Sequence, residues 1–185
     1  MDDSKIIAMF FARSEQALTA LAEKYGKLCQ TIAANILGNT EDAEECVNDT
    51  YLAVWNTIPP QKPNPLRTYL CKITRNIAVT RYHSNTAQKR NSHYDIALDE
   101  LEKCLFSEET VESHAFAKEL SHLLDRFLSD LDKRSRVMFV RRYWYADSVA
   151  QIAKDFGMRP NSVSVQLSRI RSKLRAFLIK EGYLQ

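Results

Sequence analysis

Apolar positions along this chain recur three and four residues apart over most of its length, the period of helices with one buried face. A short apolar helix is predicted over residues 4–12. A longer one follows, N-capped by Ser14, in which Ala17, Leu21, Tyr25, Leu28, Ile32 and Ile36 share a face and Gly38-Asn39 ends the run. Thr40 is placed to cap the next helix, which reaches residue 57 with Ala43, Val47, Tyr51 and Val54 turned inward. Glu41 and Asp42 then sit in its first turn, where the helix dipole favours acids, and Asp42, Glu45 and Asp49 gather within about 60° of one another. The stretch Pro59-Pro60-Gln61-Lys62-Pro63-Asn64-Pro65 must be a stiff, extended loop. Beyond it a helix is predicted over residues 66–84. Its core side is Leu66, Leu70, Ile73 and Ile77; nearly opposite lie Thr68, Lys72, Arg75, Val79 and Tyr82, with Asn76 on the flank.

Residues 85–112 show no sustained period, begin polar and become acidic, as expected of an interdomain linker on which Ile96, Leu98, Leu101, Leu105 and Phe106 could still dock. Helical patterns resume at 111–129, 133–144, 148–156 and 161–180. The fold class is therefore all-α, with two small helical domains, 1–90 and 113–185, joined by a linker at 91–112. Composition agrees: with Gly 4 and Pro 5 in 185 residues, turn-formers are too few for a many-stranded sheet.

Candidate chemistry narrows by exclusion. The longest apolar run, residues 6–12, is far shorter than the roughly 20 residues that span a bilayer, and the N-terminus carries Asp2 and Asp3 in place of a basic signal-like start. A cytoplasmic location is expected. Cys29, Cys46, Cys71 and Cys104, and His83, His93, His114 and His122, lack metal-ligand spacing, so no metal is expected and the thiols read as reduced and mostly buried. No nucleophile and base pair or phosphate loop is present either. The expectation is a non-enzyme with no catalytic residues, no cofactor and no small-molecule substrate.

The net charge of +3 is uninformative, but its distribution is not. Arg67, Lys72, Arg75, Arg81, Lys89 and Arg90 fall in 66–94 without an acid, and Arg159, Arg169, Arg171, Lys173, Arg175 and Lys180 face Glu181 alone after residue 157. Glu41, Asp42, Glu44, Glu45 and Asp49 form an acidic block without a base. Separated patches imply more than one charged partner. Residues 149–163 meet the needs of a helix-turn-helix: Ala153 permits a close crossing, Gly157 supplies the turn, Pro160 opens the second helix, and Ile152, Phe156, Val163 and Leu167 close the core. Its second helix turns Asn161, Ser164, Val165, Ser168 and Ser172 outward between Arg169 and Arg175, short side chains for base edges and arginines for phosphates. Helical hairpins of this pattern also occur in proteins that bind no DNA; the basic flanks favour DNA.

Three blocks in order then carry a resemblance. Residues 42–55 (DAEECVNDTYLAVW), 66–78 (LRTYLCKITRNIA), and 137–143 (VMFVRRY) leading through the helix-turn-helix to 167–175 (LSRIRSKLR) are similar to successive signatures of bacterial extracytoplasmic-function sigma factors. The resemblance implies a transcription initiation subunit with core RNA polymerase and promoter DNA as partners, and an anti-sigma factor, in many members membrane-tethered. It implies that Asp42, Glu45 and Asp49 meet the polymerase. It also implies that Lys62, Asn64, Arg67, Tyr69, Lys72, Arg75 and Asn76 hold the opened minus-ten region. The minus-thirty-five duplex falls to Asn161, Ser162, Ser164, Val165, Ser168, Arg169, Arg171, Lys173 and Arg175. Where the family commonly has Trp, Phe, Asp and Arg, this chain has Tyr69, Leu66, Thr80 and His83, and Ser164 and Gln166 replace usual basic residues of the recognition helix. The lowered charge there predicts heavier reliance on Arg169, Arg171, Lys173 and Arg175 for phosphates. A different class, the stand-alone helix-turn-helix regulator of duplex operators, explains neither the acidic helix nor the prolines before a basic one.

Overall fold

The N-terminal helices form because each presents one continuous apolar stripe to its neighbours. A computed structural model describes residues 1–85, 93–105 and 114–184, with side chains at 1–84, 93–101 and 119–184. Among the described residues there are nine helices and no strand. The chain divides into two compact units, Met1–His93 and Tyr94–Gln185.

The first unit holds α1 (Asp3–Phe11), α2 (Gln16–Leu37), α3 (Thr40–Thr57) and α4 (Leu66–Asn85). Helix α2 packs against α1, α3 and α4, and α3 packs against α4. Ile6, Phe10, Leu21, Ile32, Ile36, Ile58, Leu66 and Leu70 are fully buried between them. Burial on α4 departs from expectation. Its inner stripe is Leu66, Leu70, Cys71, Thr74 and Ala78, while Ile73 and Ile77 are only half-buried. Helix wheels weigh large apolar residues most, but the small side chains here let α4 approach its neighbours closely. Thr74 can be buried because its hydroxyl donates to the Leu70 carbonyl at 2.9 Å, and its own carbonyl accepts from Cys46 Sγ at 3.6 Å. Cys29, Cys46 and Cys71 are buried thiols outside any disulfide, and burial pushes Cys46 up to about 11, so it stays protonated. The side chain of Cys104 lies outside the described residues, as do Lys89 and Arg90.

Two caps differ from the sequence expectation. Helix α2 begins after Glu15, with no side-chain cap bond, so Ser14 does not cap it. Gly38 ends α2 in the left-handed conformation at φ 75°, and the cap of α3 is Asn39, whose Oδ1 accepts from the Asp42 amide at 2.7 Å. Thr40 is one residue too late to reach that amide and becomes the first helical residue. Asn39→Ala is expected to cost about 1 kcal/mol, read as a lower urea midpoint at unchanged slope.

The second unit holds α5 (His93–Leu105, starting at the boundary), α6 (His114–Asp130), α7 (Lys133–Tyr143), α8 (Val149–Phe156) and α9 (Pro160–Lys180). Helix α5 occupies part of the expected linker. Tyr94 and Ala97 are buried and Leu101 packs on the core, whereas Ile96 is 51% exposed. Leu98 is half-buried. The Leu105 side chain and Phe106 lie outside the described residues. What carried no clear period is a helix whose docking combines Ala97 and Leu101 with a carboxylate. Glu100 accepts from Arg142 Nη2 at 2.9 Å and Nε at 3.3 Å, from the Tyr143 hydroxyl at 3.0 Å and from Arg171 Nη1 at 3.2 Å. Arg142 is 2% exposed and also donates to the Asp147 carbonyl at 3.0 Å, so its buried charge is fully engaged. Met138, Ile152, Leu167 and Leu174 are fully buried at the centre of the unit.

Candidate functional site

Helix α3 carries the acidic surface. The Asn39 Nδ2 donates to Asp42 Oδ2 at 2.6 Å, holding that carboxylate over the first turn. Glu45 and Asp49, one turn apart, share a cation: Arg81 Nη1 contacts Glu45 Oε2 at 2.5 Å and Arg81 Nη2 contacts Asp49 Oδ2 at 2.8 Å. Their side chains remain 67% and 45% exposed. Arg81 lies nine positions, about 180° on a helix wheel, from Lys72, so although it counts in the basic block of 66–94 it is not on the face that carries Lys72. Leu52, 60% exposed on the same helix, is an apolar residue on an otherwise polar face, a signal already present in the sequence. It borders a shallow groove of about 480 Å³ lined with Glu15, Leu18, Asn48, Tyr51 and Trp55.

On the loop and α4, Lys62, Asn64, Arg67, Lys72 and Asn76 are exposed and Arg75 is half-buried. Tyr69 has a different task. Its hydroxyl donates to Thr57 Oγ1 at 2.8 Å, and that hydroxyl donates in turn to the Ala53 carbonyl at 2.7 Å, tying the start of α4 to the end of α3 across the proline loop.

The helix-turn-helix is built as the spacing requires. Ser148 caps α8 by accepting from the Gln151 amide at 3.1 Å. Gly157 takes φ 61°, a region any side chain would strain, and Pro160 opens α9. Arg141 clamps the motif from α7, with Nε 2.6 Å from Asp147 and Nη2 2.7 Å from Asp155. On α9, Val163, Leu167, Ile170, Leu174 and Leu178 are buried, and Asn161, Ser162, Ser164, Val165, Ser168, Arg169, Ser172 and Lys173 are exposed. Arg175 is half-buried. Arg171 does not join that face: its Nη1 sits 2.5 Å from the Tyr143 hydroxyl and 3.2 Å from Glu100. A carboxylate from α5, invisible to local periodicity, holds it instead.

Among the described residues no group of His, Cys, Asp and Glu could hold a metal ion, and no helix is long and apolar enough to cross a membrane.

Comparison with known proteins fits both units. Residues 21–88 match the model of sigma-70 region 2 and residues 121–174 that of sigma-70 region 4, together well over half of the chain. The fold and the paired matches define the class as a sigma subunit, a promoter-directing component of RNA polymerase and not a class of enzyme. The ECF RNA polymerase sigma factor SigL of Mycobacterium tuberculosis, strains Erdman and H37Rv, is 24% identical over 174 residues, covering 92% of this chain and 94% of the relative. A solved structure of CnrH in complex with the cytosolic domain of CnrY aligns over 96% of this chain and 97% of that one, at 23% identity and a TM-score of 0.44. The chain belongs to the extracytoplasmic-function sigma factors, and its partners are RNA polymerase and promoter DNA.

Proposed function

We propose that the first unit docks on core polymerase through α3 and holds the opened minus-ten region through the proline loop and α4, while α9 of the second unit reads the minus-thirty-five duplex. The observation that carries this division is the opposite charge of two packed helices, with Asp42, Glu45 and Asp49 displayed on α3 and Arg67, Lys72 and Arg75 on α4. Carboxylates steer a basic polymerase surface and set its orientation. Leu52 and the groove beside it add the apolar contact that charge alone does not supply. Melted DNA offers unpaired bases and phosphates, which Lys62, Asn64, Lys72, Arg75 and Asn76 can hold. Tyr69 serves there by fixing the loop, given its bond to Thr57. On the duplex, Asn161, Ser162, Ser164, Val165 and Ser168 face base edges, and Arg169, Lys173 and Arg175 hold phosphates. Arg171 belongs with the α5 contact instead. The protein acts in the cytoplasm, and an anti-sigma partner, membrane-tethered in many members of the family, covers these surfaces until a signal releases them.

With purified core polymerase, the chain is expected to start transcription at one class of promoter. Charge reversal at Glu45 and Asp49 weakens core binding; substitution at Asn161, Ser164 or Val165 shifts sequence preference; loss of Arg175 lowers affinity evenly and reduces the salt slope by about 0.9. Tight sequence-specific duplex binding by the free chain, without polymerase association, overturns the proposal.

A further inference from the structure

Arg81 stands apart from the other cations of α4. It extends the buried stripe of Thr74 and Ala78 towards α3, and its side chain is only 19% exposed while it contacts two carboxylates that are far more open to solvent. The cation therefore lies beneath the acids rather than over them. Glu45 and Asp49 are an i,i+4 pair of like charges, which repel and would otherwise sample many rotamers. A guanidinium is a planar fork, and here its two Nη atoms engage one oxygen of each carboxylate, Glu45 Oε2 and Asp49 Oδ2.

We propose that Arg81 is a positioning residue for polymerase docking: from beneath, it fixes the Glu45 and Asp49 carboxylates as an outward-facing pair and cancels their mutual repulsion. This rests on the proposal that those acids meet the polymerase. A basic surface then finds both acceptors already ordered, and the cost of immobilising two rotamer-rich side chains at the interface has been met by the fold. Lysine is a poorer substitute, since one ammonium on a flexible stem does not span both carboxylates with the same fork.

The test is a double-mutant cycle on the full chain, measuring affinity for core polymerase beside thermal unfolding. Arg81→Met is expected to weaken core binding about fivefold, the ordering cost of one to two side chains, and Arg81→Lys to recover part of that. In a Glu45→Gln, Asp49→Asn background the same Arg81→Met change is expected to have no further effect on affinity. A purely structural Arg81 would weaken binding equally in both backgrounds, which overturns the proposal, as does unchanged binding in the otherwise native chain. Should Arg81→Met lose its fold, Arg81→Lys carries the same comparison. If Glu45→Gln, Asp49→Asn alone leaves core binding unchanged, the assignment of α3 to the polymerase falls, and this proposal with it. An intact effect of the acids with a silent Arg81 overturns only the positioning role.

Discussion

Glu100→Gln is expected to destabilise the second unit by about 2–3 kcal/mol, a large share of the stability of a domain this size. Glutamine keeps the shape but removes the charge that Arg142 was buried against. Arg142, 2% exposed, would then have only neutral acceptors, one amide oxygen and the Asp147 carbonyl, and a buried guanidinium without a counter-charge is costly. The same carboxylate also holds Tyr143 and Arg171, so α5, α7 and α9 loosen together. A pH dependence follows. Burial raises the Glu100 pKa, but the hydrogen bonds and charge of Arg142, with Tyr143 and Arg171, outweigh it and leave the value below the ordinary 4.5. A depressed folded pKa means the unfolded chain binds the proton more readily, so Glu100 contributes stability above the ordinary value and loses it as pH falls toward the folded one. Urea unfolding at pH 7 and in mild acid checks both: the gap between native and Glu100→Gln chains should narrow on acidification. Equal gaps at both pH values would remove the charge from the explanation.

Leu167→Ala is the second large effect. Leu167 is 1% exposed where α8 and α9 meet, so truncation removes a buried isobutyl group and leaves a cavity, expected to cost about 3–4 kcal/mol. Under the proposed assignment of α9 to the minus-thirty-five duplex the consequence is also functional, because Leu167 anchors the helix that carries the exposed Ser164 and Ser168. Promoter binding through the minus-thirty-five element should fall with the midpoint of unfolding. Val165→Ala, two residues away and 42% exposed, should change stability by less than about 0.5 kcal/mol while altering sequence preference. A Leu167→Ala chain with native stability would mean that this contact does not hold the motif together.

Sequence patterning by itself determined the helical class, because the three- and four-residue spacing of apolar groups is a local property that survives in any context. It also determined the helix-turn-helix, where Gly157 and Pro160 mark a turn whose backbone needs are set by their own chemistry. The three charge blocks were equally plain, and so was the family they resemble. What patterning could not reach were facts that depend on who lies opposite. On α4, Leu66 and Leu70 are buried where the wheel places them, but the stripe then turns to Cys71, Thr74 and Ala78 and leaves Ile73 and Ile77 half-buried, a rotation that a wheel weighted by hydrophobic size does not show. Helix α5 looked like linker because its docking relies on Ala97 and Leu101 on the core and on a carboxylate meeting a buried arginine 42 positions away. Arg81 counted only towards a basic block and Arg171 as a DNA-facing cation in the sequence, yet each is claimed by acids from another helix. Charge along a chain is additive and legible; whether a given charge is free or spoken for depends on distance, falls off within a few ångströms, and exists only once the helices have packed.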